Sequence, residues 1–204
     1  MDKKDHWENI YKNKSPLEVS WYQQRPDISL ALIRKYTSKK TAEIIDVGGG
    51  ASTLCDGLLE AGYSNVTVLD LSDSALAHAR QRLGSKAEFV DWEAGDVTYL
   101  KSDHQYDVWH DRAVFHFLTD KRDRDKYKQV LASSVRTNGY VIIAVFEVGG
   151  PIKCSGLDIV QYDVEKLRTE LGNDFAFVEE LYETHITPAG VEQLFGYYIF
   201  AKQA

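Results

Sequence analysis

The stretch from Ile44 to Thr53 constrains the fold of this chain more than any other. An apolar run leads into Asp46, and three consecutive glycines then precede small residues. Glycines allow a sharp backbone turn and the close approach of a ligand. A helix that starts there offers free N–H groups to that ligand. The pattern therefore predicts a parallel strand, a tight turn and a helix N-terminus that together bind a nucleotide-type ligand.

Two classes of nucleotide-binding site contain such a turn. The dinucleotide fingerprint is G-x-G-x-x-G, but Thr53 stands where the third glycine is required. The sequence instead resembles D/E-x-G-x-G-x-G, the first motif of class I S-adenosylmethionine (SAM) methyltransferases, with Ser52 in place of the last glycine. This resemblance implies a SAM site formed in part by Asp46, Gly48, Gly49 and Gly50.

The strand predicted over residues 66–70 supports a nucleoside cofactor. It ends in Asp70, 22 residues after Gly48 (70 − 48), and the ribose-binding acid is expected about 20 residues after the glycine turn. A carboxylate there can accept hydrogen bonds from two vicinal hydroxyls. The alternative is a helix cap, although Ser72 and Asp73 already suffice for that. SAM and NAD both carry this ribose, and the resemblance assigns Asp70 and the adjacent Leu71 to the SAM site.

Residues 92–97 resemble the third motif of the same family. In that motif an acid near a glycine accepts a hydrogen bond from the adenine amino group, and the next backbone N–H reaches the ring. The resemblance therefore implies that Asp96 and Val97 bind adenine. The alternative is that Asp96 is an ordinary solvated acid in a loop.

The densest polar cluster, His110, Asp111 and Arg112, follows the fourth predicted strand. Ligands of open α/β sheets lie beyond the carboxyl ends of the strands, so we expect all three side chains to point at the active site. The cluster matches the place of the family's fourth motif, and we take its members as candidate catalytic residues, with Asp111 also a cofactor ligand. His110 or Asp111 could act as a base. The alternative is a surface ion pair between Asp111 and Arg112, and we interpret His116 as a half-buried helix residue.

Two aromatic residues, Trp21 and Tyr22, lie together in a loop near the N-terminus. They could pack the N-terminal helix onto the body of the protein. In related methyltransferases this region covers the bound SAM, so the resemblance implies that Trp21 and Tyr22 contact the cofactor. We predict one methyltransferase domain over residues 1–204, with residues 1–38 as a helical lid and residues 39–204 as the SAM-binding core.

Hydrophobic periodicity places helices and strands in alternation along the chain. The predicted helices are 5–12, 28–36, 51–61, 73–83, 121–135 and 164–171, and the predicted strands are 43–47, 66–70, 87–91, 106–110, 140–146, 175–185 and 193–202. This order predicts an α/β fold with a seven-stranded Rossmann-like sheet, helices on both faces and an antiparallel C-terminal β-hairpin. The hairpin disfavours a nicotinamide-binding domain, which would continue with parallel crossovers.

Charge and cysteine content narrow the class of protein further. The formal net charge of −7 disfavours a nucleic-acid partner, because such proteins usually present a basic surface. Two distant cysteines and no CxxC spacing predict neither a disulfide framework nor a metal site, and favour a reduced, cytoplasmic setting. We see no signal peptide or run long enough to cross a bilayer, and the sequence does not predict the oligomeric state.

The resemblance implies transfer of a methyl group from SAM to a small-molecule or protein acceptor, with S-adenosyl-L-homocysteine as the product. The chain looks similar to small stand-alone enzymes, among them the lysine methyltransferases that act on citrate synthase and elongation factor, and bacterial members of unassigned substrate. The long loop 147–162 follows the fifth predicted strand, a place where substrate choice is often made, and it would be the specificity element if the acceptor is a small molecule. Two alternatives stay open: a nicotinamide-dependent oxidoreductase, and a non-catalytic domain that binds SAM or a partner.

Overall fold

The computed structural model describes residues 3–101 and 104–204. The helices are α1 (Lys3–Asn13), α2 (Asp27–Tyr36), α3 (Leu54–Glu60), α4 (Asp73–Leu83), α5 (Lys121–Ser134) and α6 (Val164–Leu171). The strands are β1 (Glu43–Val47), β2 (Asn65–Asp70), β3 (Val90–Ala94), β4 (Tyr106–Arg112), β5 (Val135–Phe146), β6 (Lys153–Cys154), β7 (Leu157–Asp158), β8 (Phe175–Ile186) and β9 (Glu192–Lys202). Short 3-10 helices span Gly84–Phe89, Val97–Tyr99 and Phe115–Phe117.

Seven strands form one sheet in the order β3-β2-β1-β4-β5-β9-β8. The first five run parallel, and β9 is antiparallel to both β5 and β8. From β1 the chain adds β2 and β3 on one side of the sheet and then crosses to add β4 and β5 on the other side. This change of direction between β1 and β4 creates the crevice where open α/β sheets bind ligands. The predicted fold class is therefore confirmed, including the antiparallel C-terminal hairpin.

Alternate residues of each parallel strand enter the two faces of the sheet, so the central strands are largely apolar before their carboxyl ends. Ile44 and Val108 belong to the cluster that packs under α2, α3 and α4. Ile45 and Trp109 belong to the cluster on the other face, with Tyr127 of α5. Both faces are thus covered, and the carboxyl ends of the strands are left for a ligand.

Several boundaries differ from the sequence prediction, most of all the start of β5, which lies at Val135 and not at Tyr140. The helix after β1 begins at Leu54, because residues 48–53 form a turn, and β3 begins at Val90, because a 3-10 helix fills residues 84–89. Strand β4 continues to Arg112, paired with β5. The loop 147–162 contains the small β6–β7 hairpin. No helix within residues 3–101 and 104–204 has the length and apolar composition to cross a membrane.

Candidate cofactor-binding site

A pocket enclosing about 830 Å³ opens at the carboxyl ends of β1, β2 and β4. Its floor is Gly48, and helix α1 closes it from above with Trp7 and Tyr11. A second cavity of about 540 Å³ shares Tyr11, Trp21, Gly48 and Arg112 with the first. The two cavities are therefore neighbouring compartments of one site. The sequence-predicted residues on the first pocket are Trp21, Gly48, Asp70, Leu71, Asp96, Val97 and Arg112, and those on the second are Trp21, Tyr22, Asp46, Gly48, Gly49, His110 and Arg112.

The glycine turn is packed too closely to hold side chains. Gly48 and Gly50 have φ angles of +67° and +35°, which favour glycine. A Cβ on Gly49 would lie 2.5 Å from Oδ2 of Asp46, and a Cβ on Gly50 would lie 2.6 Å from Oδ2 of Asp70. The backbone N–H of Gly48 donates to the Leu69 carbonyl at 2.7 Å. The turn thus sits between two carboxylates at the ends of β1 and β2.

Asp70 is the carboxylate that the first pocket presents at the end of β2. It is 9% exposed, and its Oδ1 accepts a hydrogen bond from the Ser72 N–H at 2.8 Å. Burial raises the pKa of Asp70 to about 7, and the charges of Asp46 and Glu8 act in the same direction. Ser72, not Asp70, caps α4 by accepting from the Ala75 N–H. Asp70 is therefore a partly protonated acceptor near neutral pH.

Asp96 and Val97 line the same pocket, but Asp96 also has a local function. Its Oδ1 accepts hydrogen bonds from the N–H and the hydroxyl of Thr98, both at 2.8 Å. Asp96 therefore caps the short 3-10 helix that begins at Val97. This cap holds the carboxyl at the pocket wall.

The polar cluster at the end of β4 is divided between the two faces of the sheet. Successive side chains of a strand point to opposite faces, so His110 and Arg112 face the cavities and Asp111 does not. Asp111 is fully buried and accepts hydrogen bonds from the N–H groups of Val114 and Phe115 and from the Tyr127 hydroxyl. Burial raises its pKa to about 6. The expectation that Asp111 points at the active site is wrong: its side chain holds the turn after β4 in place.

His110 is held on both sides of its ring. Its Nδ1 lies 2.7 Å from Asp46 Oδ1, its Nε2 lies 2.9 Å from Ser29 Oγ, and all three residues are buried. Asp46 and His110 are also register partners in the β1–β4 pairing, which places them side by side on one face. Neither ring nitrogen is left to take a proton from a substrate, so the geometry does not support the expected role of His110 as a base.

Arg112 is the member of the cluster that lines both cavities. Its Nε donates to the Tyr197 hydroxyl at 3.0 Å, and its Nη1 donates to the Trp21 carbonyl at 3.1 Å. Its Nη2 lies 3.6 Å from a Glu183 carboxylate oxygen, and the guanidinium stacks 4.3 Å from the Phe195 ring centroid. Arg112 therefore ties the N-terminal segment to the C-terminal hairpin at the wall of the site.

Aromatic rings from α1, from the segment after it and from the turn after β4 also line the pocket. Trp7 meets Trp21 and Phe117 edge to face, with ring centroids 5.5 and 5.1 Å apart. The Trp21 Nε1 donates to the Tyr11 hydroxyl at 3.1 Å. Trp21 thus packs α1 onto the body, and it also lines the pocket. Its contact with the cofactor stays a prediction. Tyr22 lies on the second cavity.

Sequence reasoning missed several residues near the pocket. Trp7 and Tyr11 form its roof, and their spacing on one face of α1 was the available signal. Cys154 lines the pocket, and burial raises the pKa of its thiol to about 11. His116 is fully buried, not half-buried, and neither ring nitrogen has a hydrogen-bond partner among the described residues. Burial and the Arg112 charge lower the pKa of His116 to about 3, and no pattern in the sequence indicated this.

Comparison with known proteins agrees with this geometry. Residues 45–141 match the family model described as a methyltransferase domain. The chain is 24% identical over 167 residues to the eEF1A lysine and N-terminal methyltransferase of Danio rerio, which covers 81% of this chain and 22% of that protein. The chain thus spans about a fifth of the length of the curated relatives it matches.

Solved structures share the fold at low sequence identity. The N-methyltransferase NodS from Bradyrhizobium japonicum, in complex with S-adenosyl-L-homocysteine, superposes with a TM-score of 0.74 at 15% identity over all of both chains. The 1,6-didemethyltoxoflavin-N1-methyltransferase from Burkholderia thailandensis gives 0.71 at 20% identity, over 98% of this chain and 84% of that one. The domain match over residues 45–141, the strand order and the glycine turn between Asp46 and Asp70 agree, so the chain contains a methyltransferase domain with the fold of class I SAM-dependent methyltransferases.

Proposed function

We propose that this chain binds SAM and transfers its methyl group to an acceptor molecule. The observation that carries the proposal is the pocket at the β1–β4 switch point, with a side-chain-free glycine turn as its floor and Asp70 on its wall. Ligands bind at this position in open α/β sheets. The topology and the missing third glycine favour SAM over a dinucleotide.

The residues present fit the adenosine part of SAM. Asp70 is the acceptor for the ribose hydroxyls, because it reaches the pocket while only its Oδ1 is used by Ser72. Leu71 and Val97 supply apolar walls for a flat base, and Asp96 lies beside them. A Cβ on Gly48 would collide with Val114, so glycine is required here by the close packing of the turn after β4, and Gly48 itself lines the pocket.

The aromatic end of the pocket fits the positive centre of SAM. When bound, SAM supplies a methyl group made electrophilic by its sulfonium. Trp7, Trp21 and Phe117 line the pocket on this side, and aromatic rings attract a desolvated cation by about 0.5–2 kcal/mol. The main contribution of the chain is then to hold the acceptor atom in line with the methyl group.

Neither of the two bases that the sequence suggested at the end of β4 is free to act on an acceptor. His110 is held by Asp46 and Ser29, and Asp111 lies on the other face of the sheet. Arg112 is the cluster member that we assign to the acceptor, as an orienting group and not as a base. We therefore expect an acceptor atom that arrives with a free lone pair, since neither His110 nor Asp111 is placed to remove its proton.

The enclosure of the pocket favours a small-molecule acceptor over a protein. Helix α1 contributes Lys3, Trp7 and Tyr11 to the lining of the pocket, and this partial cover suits a small molecule better than a side chain on the surface of a folded protein. We propose that residues 1–38 are the lid of a single methyltransferase domain and that residues 39–204 are its SAM-binding core. A protein acceptor is the competing outcome of the test below.

The test uses SAM labelled in its methyl group, the purified chain and a lysate from the source. After incubation, label is counted separately in macromolecules and in small molecules, with Asp70→Ala as the inactive control. The exposed Asp125, which pairs with Lys121 on α5, supplies the matched control Asp125→Ala. Label in small molecules, dependent on Asp70 but not on Asp125, is the expected result. Label in a discrete protein band would show a protein acceptor, and no SAM binding by the intact chain would refute the proposed function.

Arg112→Ala separates the acceptor from the cofactor. We expect SAM affinity to change less than methyl transfer, because Arg112 lines the pocket wall without belonging to the adenosine end. Calorimetry with SAM and the labelled assay measure the two effects. Equal losses in both would contradict the assignment of Arg112 to the acceptor.

A further inference from the structure

The two halves of the glycine turn are held by different parts of the chain. The backbone N–H groups of Gly48 and Gly49 donate to one carbonyl of β2, at 2.7 and 3.2 Å. The carbonyls of Ala51 and Ser52 instead accept hydrogen bonds from the guanidinium of Arg82, at 2.8 and 2.5 Å. Arg82 lies in the last turn of α4. The second half of the turn is therefore held by a side chain from the neighbouring helix.

Arg82 is itself fixed by a carboxylate of α3. Its Nε donates to Asp56 Oδ1 at 3.0 Å, and its Nη2 donates to Asp56 Oδ2 at 2.7 Å. The two side chains are 31% and 25% exposed, and an ion pair at such exposure adds little to stability. The guanidinium is a rigid fork of N–H donors, however, and here it bonds the carboxylate and both backbone carbonyls at once. This arrangement fixes the relative positions of α3, α4 and the turn.

Peptide planarity extends the effect of Arg82 from two oxygen atoms to the backbone around them. The N–H of a trans peptide unit points away from its C=O, so the bond to the Ala51 carbonyl also orients the N–H of Ser52. That N–H donates to the Gly49 carbonyl at 2.6 Å. The bond to the Ser52 carbonyl orients the next peptide unit in the same way. Neither unit can rotate without breaking a hydrogen bond to the guanidinium.

The backbone that Arg82 orients belongs to the second cavity of the site. Among the described residues, Ala51 and Ser52 line the second cavity but not the first. Asp70, which we assign to the ribose, lines the first cavity but not the second, and Gly48 lines both. A ligand that extends from the adenosine end past Gly48 therefore meets the peptide units held by Arg82.

We propose that Arg82 is a positioning residue, which orients residues 51–52 of the glycine turn for the part of SAM beyond its adenosine. The inference rests on the proposed function, because it requires SAM in the pocket. Arg82 lines neither cavity, so it acts through the backbone and not by contact with the cofactor. The alternative is an ordinary ion pair between two helices, which would affect stability without favouring one end of the ligand.

Four variants distinguish these two roles. Arg82→Met keeps most of the apolar stem and removes every donor of the guanidinium. Arg82→Lys keeps a positive charge beside Asp56 but loses the fork, so it repeats the test with the ion pair in place. Asp56→Asn removes the charge of the partner and leaves Arg82 with both carbonyls. Arg136→Met is the matched control, because Arg136 forms a similar pair with Asp107 at 2.9 Å, at the amino ends of β4 and β5.

Two ligands report on the two ends of the site. Calorimetry gives the dissociation constant for SAM, and competition gives that for 5′-methylthioadenosine, which has the adenosine and sulfur of SAM but no amino-acid end. Loss of a hydrogen bond to a charged group corresponds to about a tenfold or larger factor. We expect Arg82→Met to bind SAM at least about tenfold more weakly, and 5′-methylthioadenosine less than about threefold more weakly.

The other variants should follow from the bonds that each one keeps. Arg82→Lys should show a smaller loss of SAM affinity with the same difference between the ligands. Asp56→Asn and Arg136→Met should change the affinity for either ligand by less than about threefold. Chemical denaturation gives the free energy of unfolding of each variant, so that affinities are compared between folded chains.

Three results would overturn the inference and leave the proposed function intact. The first is wild-type SAM affinity in both Arg82 variants. The second is an equal loss of affinity for SAM and 5′-methylthioadenosine in Arg82→Met, because a general loss of structure affects both ends of the site. The third is a loss in Asp56→Asn as large as that in Arg82→Met, which would assign the effect to the ion pair. Absence of SAM binding by the wild-type chain would refute the proposed function as well.

Discussion

Asp70→Asn is the substitution that tests the site most directly, because the same carboxyl affects stability and cofactor binding in opposite directions with pH. Asparagine has nearly the shape of aspartate, and its side-chain oxygen can still accept the Ser72 N–H that Asp70 accepts at 2.8 Å. The variant removes the titrating proton and replaces the other carboxylate oxygen by an amide NH2 donor. Differences in the pH dependence of wild type and variant therefore report the titration of Asp70.

The magnitude for stability follows from the pKa of Asp70, about 7 in the folded chain against its ordinary value of 3.8. The folded chain holds this proton more tightly than the unfolded chain. The stabilisation that this proton gives to the folded chain is complete below the ordinary pKa of 3.8. It is lost as the pH rises through the pKa of the folded chain. From about pH 5.5 to about pH 8.5, the wild type should lose roughly 2 kcal/mol at Asp70, since about 1.5 pH units lie below the raised pKa at about 1.36 kcal/mol each.

The expected effect on SAM affinity has the opposite sign. Ribose hydroxyls donate hydrogen bonds, so they favour the ionised carboxylate and SAM binding requires loss of the proton. Below a pKa of about 7, the dissociation constant of the wild type should rise by up to about tenfold per pH unit. Asp70→Asn should bind SAM weakly at every pH, with no such slope.

The assay is chemical denaturation and SAM calorimetry, each at the two pH values, on wild type, Asp70→Asn and the exposed-site control Asp125→Asn. Wild type and control should both lose the additional stability at the higher pH, and Asp70→Asn should not. If Asp70→Asn loses as much stability with pH as the wild type, the carboxyl does not titrate as its burial implies. If it binds SAM as tightly as the wild type, the ribose assignment is wrong.

Three further predictions concern the packing of the site and the reactivity of its wall. Gly49→Ala should weaken SAM binding more than tenfold and destabilise the chain by about 1–3 kcal/mol, because the added Cβ would clash with Asp46. An unchanged dissociation constant in calorimetry and an unchanged free energy of unfolding in denaturation would contradict the packing argument. Tyr127→Phe should destabilise the chain by about 1–3 kcal/mol, because it leaves the buried Asp111 carboxylate without its hydroxyl donor. SAM affinity should change less than twofold, and a larger loss would show that Asp111 contributes to cofactor binding. Cys154, whose thiol pKa burial raises to about 11, should alkylate far more slowly than a free thiol near neutral pH, and mass spectrometry showing rapid labelling would contradict its burial.

Much of the fold could be predicted because its signals are local. The bounds of β1, α4 and α6 agree with the prediction residue for residue, since caps and glycines mark them within a few positions. Asp163 caps α6 by accepting from the Lys166 N–H, as its position indicated. The start of α3 was placed too early, because glycine-rich sequence does not show where a turn gives way to a helix.

The division of the polar cluster after β4 could not be predicted from local sequence. The predicted strand ended at His110, which left the orientation of Asp111 and Arg112 undefined. Pairing with β5 extends β4 to Arg112, and strand alternation then sends Asp111 to the opposite face. The pairing involves residues about thirty positions away in the chain, so no pattern within the cluster indicates it.

By itself, the sequence determined the order of the elements, the glycine turn and the carboxylate at the end of β2, because each depends on neighbouring residues. Only the tertiary structure decided which side chains meet. Asp46 and Ser29 reach His110 from 64 and 81 positions away, and α1 returns to close the pocket with Trp7 and Tyr11. These contacts depend on sheet register and helix packing, which bring together residues that are distant in the chain and therefore share no sequence pattern.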